Sequence, residues 1–178
     1  MLNLKFFNRN ADIVARDLLG KILIVKSHGN NQKSIIVETE AYFDEDDPAS
    51  RACKNGDLRE TMRMEAGTIL IYGVHNNWMF NIVTEKIGNA QAVLIRAVEP
   101  LNFNERCSGP GLLTKSISID KSFHKQNILK SKNIFIKDNN KLKEENIKII
   151  KSFRIGVSKD LPKKLRFFIK DNKEVSRR

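Results

Sequence analysis

The fold of this chain turns on the stretch Ile35-Ile36-Val37-Glu38-Thr39-Glu40-Ala41-Tyr42, a β-branched and apolar run that carries two carboxylates and a tyrosine at alternate positions. Successive side chains of a strand point to opposite faces, so Glu38, Glu40 and Tyr42 are predicted to share one face. A desolvated carboxylate needs a partner or a chemical task. Two interpretations follow: a catalytic carboxylate beside an aromatic ring, or a strand with one face in water.

Apolar runs on either side of this strand predict an antiparallel sheet. Residues 21–26 precede it, and Ser27-His28-Gly29-Asn30-Asn31 between the two runs indicates a β-hairpin. A second hairpin is predicted from residues 68–72 and 78–83, joined by Gly73-Val74-His75-Asn76-Asn77. Further strands are predicted at 91–98, 134–136, 147–155 and 165–169.

Few segments have the apolar spacing of a helix. Residues 10–20 and 112–119 are predicted to form short helices, with Leu112 and Leu113 facing inward in the second. The acidic, turn-rich residues 43–51 predict a surface loop. Many separated strands with few helices favour an α+β fold built on a mostly antiparallel sheet, and 178 residues suit a single domain, 1–178.

The charge of the chain favours a polyanionic partner. Lys and Arg total 32 against 21 Asp and Glu, which gives a formal net charge of +11. Nucleic acid is favoured over a membrane, because no apolar run approaches the roughly 20 residues that span a bilayer. Biased base usage in the coding DNA also produces compositions rich in Lys, Asn and Ile, so charge alone is weak evidence.

The cysteines and histidines are scattered. Cys53 and Cys107 lie far apart, and the N-terminal residues lack a signal-peptide core, so a reduced, cytoplasmic protein is expected. None of His28, His75 and His124 stands at a metal-ligand spacing from a Cys, Asp or Glu. No metal and no cofactor are predicted.

Several local motifs occur together in one order along nearly the whole chain. They are Ala15-Arg16-Asp17-Leu18-Leu19-Gly20, Ile36-Val37-Glu38-Thr39-Glu40-Ala41-Tyr42, Asp47-Pro48-Ala49-Ser50, Gly67-Thr68, Leu94-Ile95-Arg96-Ala97-Val98-Glu99-Pro100, Gly109-Pro110-Gly111-Leu112-Leu113-Thr114-Lys115, Arg154-Ile155-Gly156-Val157 and Leu165-Arg166-Phe167-Phe168. In this order the chain resembles the alkyladenine (3-methyladenine) DNA glycosylases, the monofunctional methylpurine glycosylases. The resemblance implies a curved sheet or partial barrel flanked by short helices, with a protruding β-hairpin for DNA.

The resemblance also implies a catalytic set. Glu40 matches the general base that deprotonates a water for attack at the sugar carbon, a task that one carboxylate can perform. Arg96 matches a basic residue that helps to hold the water and a nearby phosphate. The carbonyl of Ile155 matches a further water contact, and no covalent lysine intermediate is implied.

The implied base pocket contains two aromatic rings. Tyr42 and Tyr72 match the aromatics that sandwich the everted base, and Asn81 matches an amide that rejects bases with an exocyclic amino group. Stacking contributes roughly 1–3 kcal/mol per base. Arg51 stands where the family usually has a pocket histidine, so it is expected either to face the pocket, weakening tolerance for cationic lesions, or to contact a phosphate.

The contacts to the duplex that the resemblance implies are less well matched. His75 stands where an aromatic side chain wedges into the duplex, in a hairpin loop that looks one residue shorter than usual. Leu112 replaces a residue that is often basic, and Lys115 is a candidate for a backbone contact instead.

The function expected from these residues is base excision repair. A monomer would evert an alkylated or deaminated purine from duplex DNA in the nucleoid and hydrolyse its N-glycosidic bond. Two alternatives remain open: a non-catalytic nucleic-acid-binding module with a stacking platform of Tyr42, Tyr72 and Trp78, and a carbohydrate hydrolase that uses Glu38 and Glu40 as an acid/base pair.

Overall fold

The computed structural model describes residues 1–27, 29–140 and 147–177. Its strands within these ranges are β1 (Ile22–Ser27), β2 (Asn30–Tyr42), β3 (Ile69–Val74), β4 (Asn77–Val83), β5 (Ala92–Pro100), β6 (Ile134–Lys137), β7 (Ile149–Ser152) and β8 (Arg166–Ile169). Its helices there are α1 (Leu4–Phe7), α2 (Ala11–Asp17), α3 (Asp57–Met62) and α4 (Pro110–Ser116), with 3₁₀ turns at Arg51–Cys53 and Lys121–Phe123. No helix among the described residues has the length and apolar character of a membrane span.

The strands form one antiparallel sheet in the order β3-β4-β5-β2-β1-β6, and β8 pairs with both β2 and β7. Strand β2 is the hub: its first half pairs with β1, residues 38–40 pair with β8, and β5 runs along its other edge. A register irregularity between Ile36 and Thr39 interrupts the pairing with β5, and a bulge of this kind bends a strand. The sheet curls into a half-barrel, which confirms the α+β antiparallel prediction.

Strand β2 has no wet face in the part that carries the carboxylates. Every residue from Ile36 to Tyr42 is buried, which shows that the interpretation with one solvent face is wrong. Helix α2 packs against β2, and Thr39 Oγ1 donates a hydrogen bond of 2.7 Å to the carbonyl of Ala15. Because both faces are covered, each polar side chain on β2 must find a partner within the protein.

Most predicted elements are present, with shifted ends. Strands β3 and β4 are joined by two residues instead of the five expected, β1 extends to Ser27 and β2 begins at Asn30, and β5 continues to Pro100. Helix α4 begins at Pro110, where its fixed φ suits the first turn, and Leu112 is 41% exposed, so its predicted inward position is wrong. Leu113 and Ile117 are buried. Helices α1 and α3 were not predicted. Residues 141–146 of the polar segment and His28 lie outside the described residues.

Candidate active site

An open cleft of about 770 Å³ lies where the ends of the central strands meet the hairpin tip and two loops. Its walls include six of the residues proposed from the sequence, namely Tyr42, Arg51, Tyr72, His75, Arg96 and Ile155. Ligand sites typically enclose about 300–1,000 Å³, so the cleft has room for a nucleotide. The structure therefore brings most of the residues proposed from the sequence to one cleft.

Glu40 lies directly behind the wall of this cleft. Its side chain is fully buried, and its three partners all line the cleft: Tyr42 Oη donates to Oε2 at 2.7 Å, the Ile155 N–H donates to Oε1 at 2.8 Å, and Arg96 Nη1 lies 3.3 Å from Oε1. Burial raises the pKa of Glu40 above its ordinary value, although Arg96 and the two hydrogen bonds oppose that shift. A buried carboxylate with a raised pKa is a candidate proton acceptor.

Glu38, the other carboxylate on this face, is bound by four donors. Arg96 Nε and Arg166 Nη1 lie 3.2 and 2.8 Å from Oε1, and Ser176 reaches the same carboxylate with its N–H at 2.7 Å and its hydroxyl at 3.0 Å. Glu38 is fully buried and does not line the cleft. A hydrolase with a Glu38–Glu40 acid/base pair would need both carboxylates at the substrate, so this geometry argues against that alternative.

Tyr42 is fixed from behind by a buried ion pair. The guanidinium carbon of Arg154 lies 4.6 Å from the centroid of the Tyr42 ring, and Nη1 and Nη2 each lie 2.7 Å from a different carboxylate oxygen of Asp47. Arg154 also binds Asp160 and the carbonyl of Ala41. Burial raises the pKa of Asp47, but the hydrogen bonds and charge of Arg154 outweigh it, so the pKa lies below its usual value. The ring is therefore held in one position.

Tyr72 faces the cleft from β3, and Arg51 covers its ring. The guanidinium carbon of Arg51 lies 4.5 Å from the ring centroid. Behind these side chains, Asn81 is 2% exposed, and its Nδ2 donates to the carbonyls of Leu70 and Met79, both at 3.2 Å. Burial raises the pKa of the Tyr72 phenol, with Arg51 acting in the opposite direction. Arg51 is exposed and lines the cleft beside Tyr72.

His75 lies at the tip of the hairpin formed by β3 and β4. His75 and Asn76 are the two turn residues, with φ of 46° and 59°, and this left-handed backbone matches the twist of a two-residue hairpin. The imidazole is exposed and lines the cleft. Thr114 of α4 binds the carbonyl of Trp78 at 3.0 Å, which ties the hairpin to α4, and Lys115 is exposed on the same helix outside the cleft walls.

Comparison with known proteins identifies the family. The sequence profile described as Methylpurine-DNA glycosylase (MPG) matches residues 5–173. The chain belongs to this family. Membership confirms the resemblance drawn from the motifs and makes this glycosylase a hydrolase of N-glycosyl bonds in DNA repair.

Curated relatives agree over nearly their whole length. A protein of Aeropyrum pernix is 38% identical to this glycosylase over 99% of the present chain and 93% of its own. Proteins of Borrelia garinii subsp. bavariensis and Clostridium perfringens are 38% and 34% identical, and each match covers 97% of the present chain. All three are provisionally named 3-methyladenine DNA glycosylase.

Four residues that support the site of this glycosylase were not assigned roles from the sequence: Asp47, Arg154, Arg166 and Ser176. The two arginines had a signal, because each stands alone between apolar residues, as in Phe153-Arg154-Ile155 and Leu165-Arg166-Phe167. A lone arginine in such a run is buried only with a partner. Asp47 and Ser176 had no comparable signal, since each lies in a polar loop.

Proposed function

We propose that the chain is a monofunctional DNA glycosylase that everts an alkylated or deaminated purine from duplex DNA and hydrolyses its N-glycosidic bond with a water activated by Glu40. One observation carries the proposal. The buried carboxylate of Glu40 is held by Tyr42, Arg96 and Ile155, and these three residues form part of the wall of a cleft large enough for a nucleotide.

In the proposed reaction Glu40 takes a proton from water. The water oxygen bonds to the anomeric carbon of the sugar, the bond from that carbon to the purine nitrogen breaks, and its electron pair leaves with the base. Burial raises the pKa of Glu40, which makes the ionised carboxylate a stronger base. Arg96, 3.3 Å away, favours the ionised carboxylate and so opposes that rise in pKa.

The approach of water to Glu40 needs a small rearrangement. In the free protein the carboxylate is separated from the cleft by the residues that bind it. Hydrogen bonds at catalytic groups are often rearranged between the free enzyme and the substrate complex. We propose that the incoming nucleotide displaces one of these contacts, and that the carbonyl of Ile155 then helps to hold the water.

Eversion requires a pocket for the base and a filler for the gap. Tyr42 and Tyr72 would stack on the base, Asn81 would contact its edge, and His75 at the exposed hairpin tip would enter the duplex. Lys115 and the net charge of +11 would bind the phosphate backbone. We propose a monomer acting on DNA in the nucleoid.

The test is base release from a panel of duplexes, each with one methylated or deaminated purine. Glu40→Gln is expected to bind lesion DNA as the native chain does and to release no base. Glu60→Gln, on the exposed surface of α3, is the matched control and is expected to release base at the native rate. Excision by Glu40→Gln at the native rate would contradict the proposal. Borohydride is expected to trap no protein–DNA adduct, because no lysine attacks the sugar.

The non-catalytic binding module is a competing function, and the burial of Glu40 is the observation in its favour. It predicts tight binding with no base release from any duplex of the panel. Its stacking platform is incomplete, however, because Trp78 does not line the cleft with Tyr42 and Tyr72.

A further inference from the structure

We infer that Arg51 sets the lesion class of this glycosylase, favouring neutral purines with free acceptors at O6 and N7, such as hypoxanthine, over cationic methylpurines. The inference rests on the proposed function, and it assigns to one side chain both the closure of the base pocket and the choice of substrate.

The part of the cleft that lies against the Tyr72 ring is filled by Arg51 in the free protein. Arg51 covers the Tyr72 ring. Tyr72 also packs against the apolar cluster that contains Ala52, Met62 and Leu70. The space enclosed by Arg51, the two tyrosines, Asn81 and their neighbours is about 10 Å³. A void of that size holds at most about one water, so a purine can stack on Tyr72 only if the guanidinium moves aside.

Arg51 is also the arginine of the cleft whose charge has no carboxylate partner among the described residues. Arg96 pairs with Glu38 and Glu40. The other arginine near the tyrosines, Arg154, pairs with Asp47 and Asp160. Within the described ranges, no ion pair involves Arg51. A base entering the pocket therefore meets an unneutralised cation.

The chemistry of a guanidinium discriminates between the two lesion classes. It carries a permanent charge, five donors and no acceptor. A purine methylated at N3 or N7 is already cationic in the nucleotide, so it is repelled, and a methyl group on N7 also blocks one acceptor. Hypoxanthine is neutral and presents O6 and N7 side by side, the acceptor pair that arginine binds with two parallel hydrogen bonds.

The same contact would assist departure of a neutral base. When the bond from the sugar carbon to the purine nitrogen breaks, the electron pair enters the purine ring and negative charge develops on its acceptors. Guanidinium donors that bind O6 and N7 would stabilise that charge. A cationic methylpurine becomes neutral on leaving and needs no such help, so the benefit of Arg51 falls on the neutral class.

The experiment compares single-turnover excision of hypoxanthine and 7-methylguanine from otherwise identical duplexes, with spontaneous loss subtracted. Arg51→Gln removes the charge and keeps a donor. We expect the ratio of hypoxanthine to 7-methylguanine rates to fall at least tenfold, through slower release of the first and faster release of the second. Arg51→Lys keeps the charge but not the planar fork, so the ratio is expected to fall through slower hypoxanthine release, without the faster 7-methylguanine release expected of Arg51→Gln.

Arg59→Gln is the matched control, because Arg59 lies on α3, pairs with Glu45 and does not line the cleft. The ratio of hypoxanthine to 7-methylguanine rates in this variant is expected to equal the native ratio. Release of both bases with a ratio that changes less than twofold in Arg51→Gln would overturn this inference and leave the proposed function intact. Release of neither base by the native chain, with lesion DNA bound, would overturn the proposed function and this inference together.

Discussion

Replacing Arg154 by methionine tests the claim that a buried ion pair supports the base pocket. The side chains of Arg154 and Asp47 are both fully buried, and the guanidinium binds both oxygens of that carboxylate at 2.7 Å. It also donates to the carbonyl of Ala41 at 2.9 Å. Methionine keeps much of the length and apolar volume of the side chain but leaves the Asp47 charge without its partner.

The expected loss of stability is large. Removing one partner of a buried ion pair typically costs about 3–5 kcal/mol, because an uncompensated charge stays in the interior. Total stabilities are about 5–15 kcal/mol, so the variant would lose about a fifth or more of the total. For a chain of this size, about 2–4 °C of Tm is lost per kcal/mol, which predicts a drop of about 6–20 °C.

Urea unfolding followed by circular dichroism measures the change, with Arg9→Met as the matched control. Arg9 pairs with Asp17 at the surface, where 34% and 41% of the two side chains are exposed, and such a pair contributes about 0–1 kcal/mol. The double variant Arg154→Met with Asp47→Asn should recover part of the loss, because it removes the unpaired charge. A loss of stability below about 1 kcal/mol, equal to that of the control, would show that the Arg154–Asp47 pair does not stabilise the fold.

The pH dependence of this loss has a definite sign. In the native protein the pKa of Asp47 is lowered by Arg154, so its contribution is present above the ordinary pKa of an aspartate and is lost as the pH falls through the lowered value. Without Arg154, only the N–H groups of Phe43 and Ala49 oppose the effect of burial, so we expect the pKa of Asp47 to rise above its ordinary value. Asp47 then protonates in mild acid, so the gap between native and variant stability should narrow from pH 7 to pH 5.

Three further outcomes are expected. Because burial raises the pKa of Glu40, the excision rate should rise with pH through an inflection above the ordinary pKa of a glutamate; an inflection at or below that value in the single-turnover pH profile would contradict the assignment of the base. Ser176→Ala removes one hydroxyl from the Glu38 carboxylate while its backbone donor remains, and should slow excision several-fold with little change in the affinity for lesion DNA; an unaltered rate would exclude a positioning role. Gly111→Ala places a Cβ about 2.7 Å from Asn77 of the hairpin and should weaken both DNA binding and thermal stability. At Gly73 the nearest contact of an added Cβ is 3.7 Å, so Gly73→Ala should be tolerated. Equal effects of the two variants in both assays would argue against the contact between Gly111 and the hairpin.

The sequence singled out most of the residues that line the cleft but not the residues that support them. Alternation on β2 predicted that Glu38, Glu40 and Tyr42 share one face, and it left open whether that face is buried or in water. It could not distinguish the two glutamates, because their environments are set by residues far along the chain: Ile155 for Glu40, and Ser176 for Glu38. Side-chain periodicity carries no information about such distant contacts.

Helix positions were predicted less well, for local reasons. Helix α3 has the sequence Asp-Leu-Arg-Glu-Thr-Met, which contains too few apolar residues to show a stripe. Helix α4 starts two residues before the predicted position, at Pro110, and this shift turns Leu112 outward. The predicted helix began after Gly109-Pro110-Gly111, although proline is common in the first turn of a helix.

The pairing of β2 with both β5 and β8 has a consequence for biosynthesis. The donor from Ile155 to Glu40 spans 115 positions of the chain. Contacts between residues so distant in sequence form late, because a long loop must be closed before they are gained. A nascent chain leaving the ribosome can therefore complete the surroundings of Glu40 only after Ile155 and strand β8 have been synthesised and have joined β2.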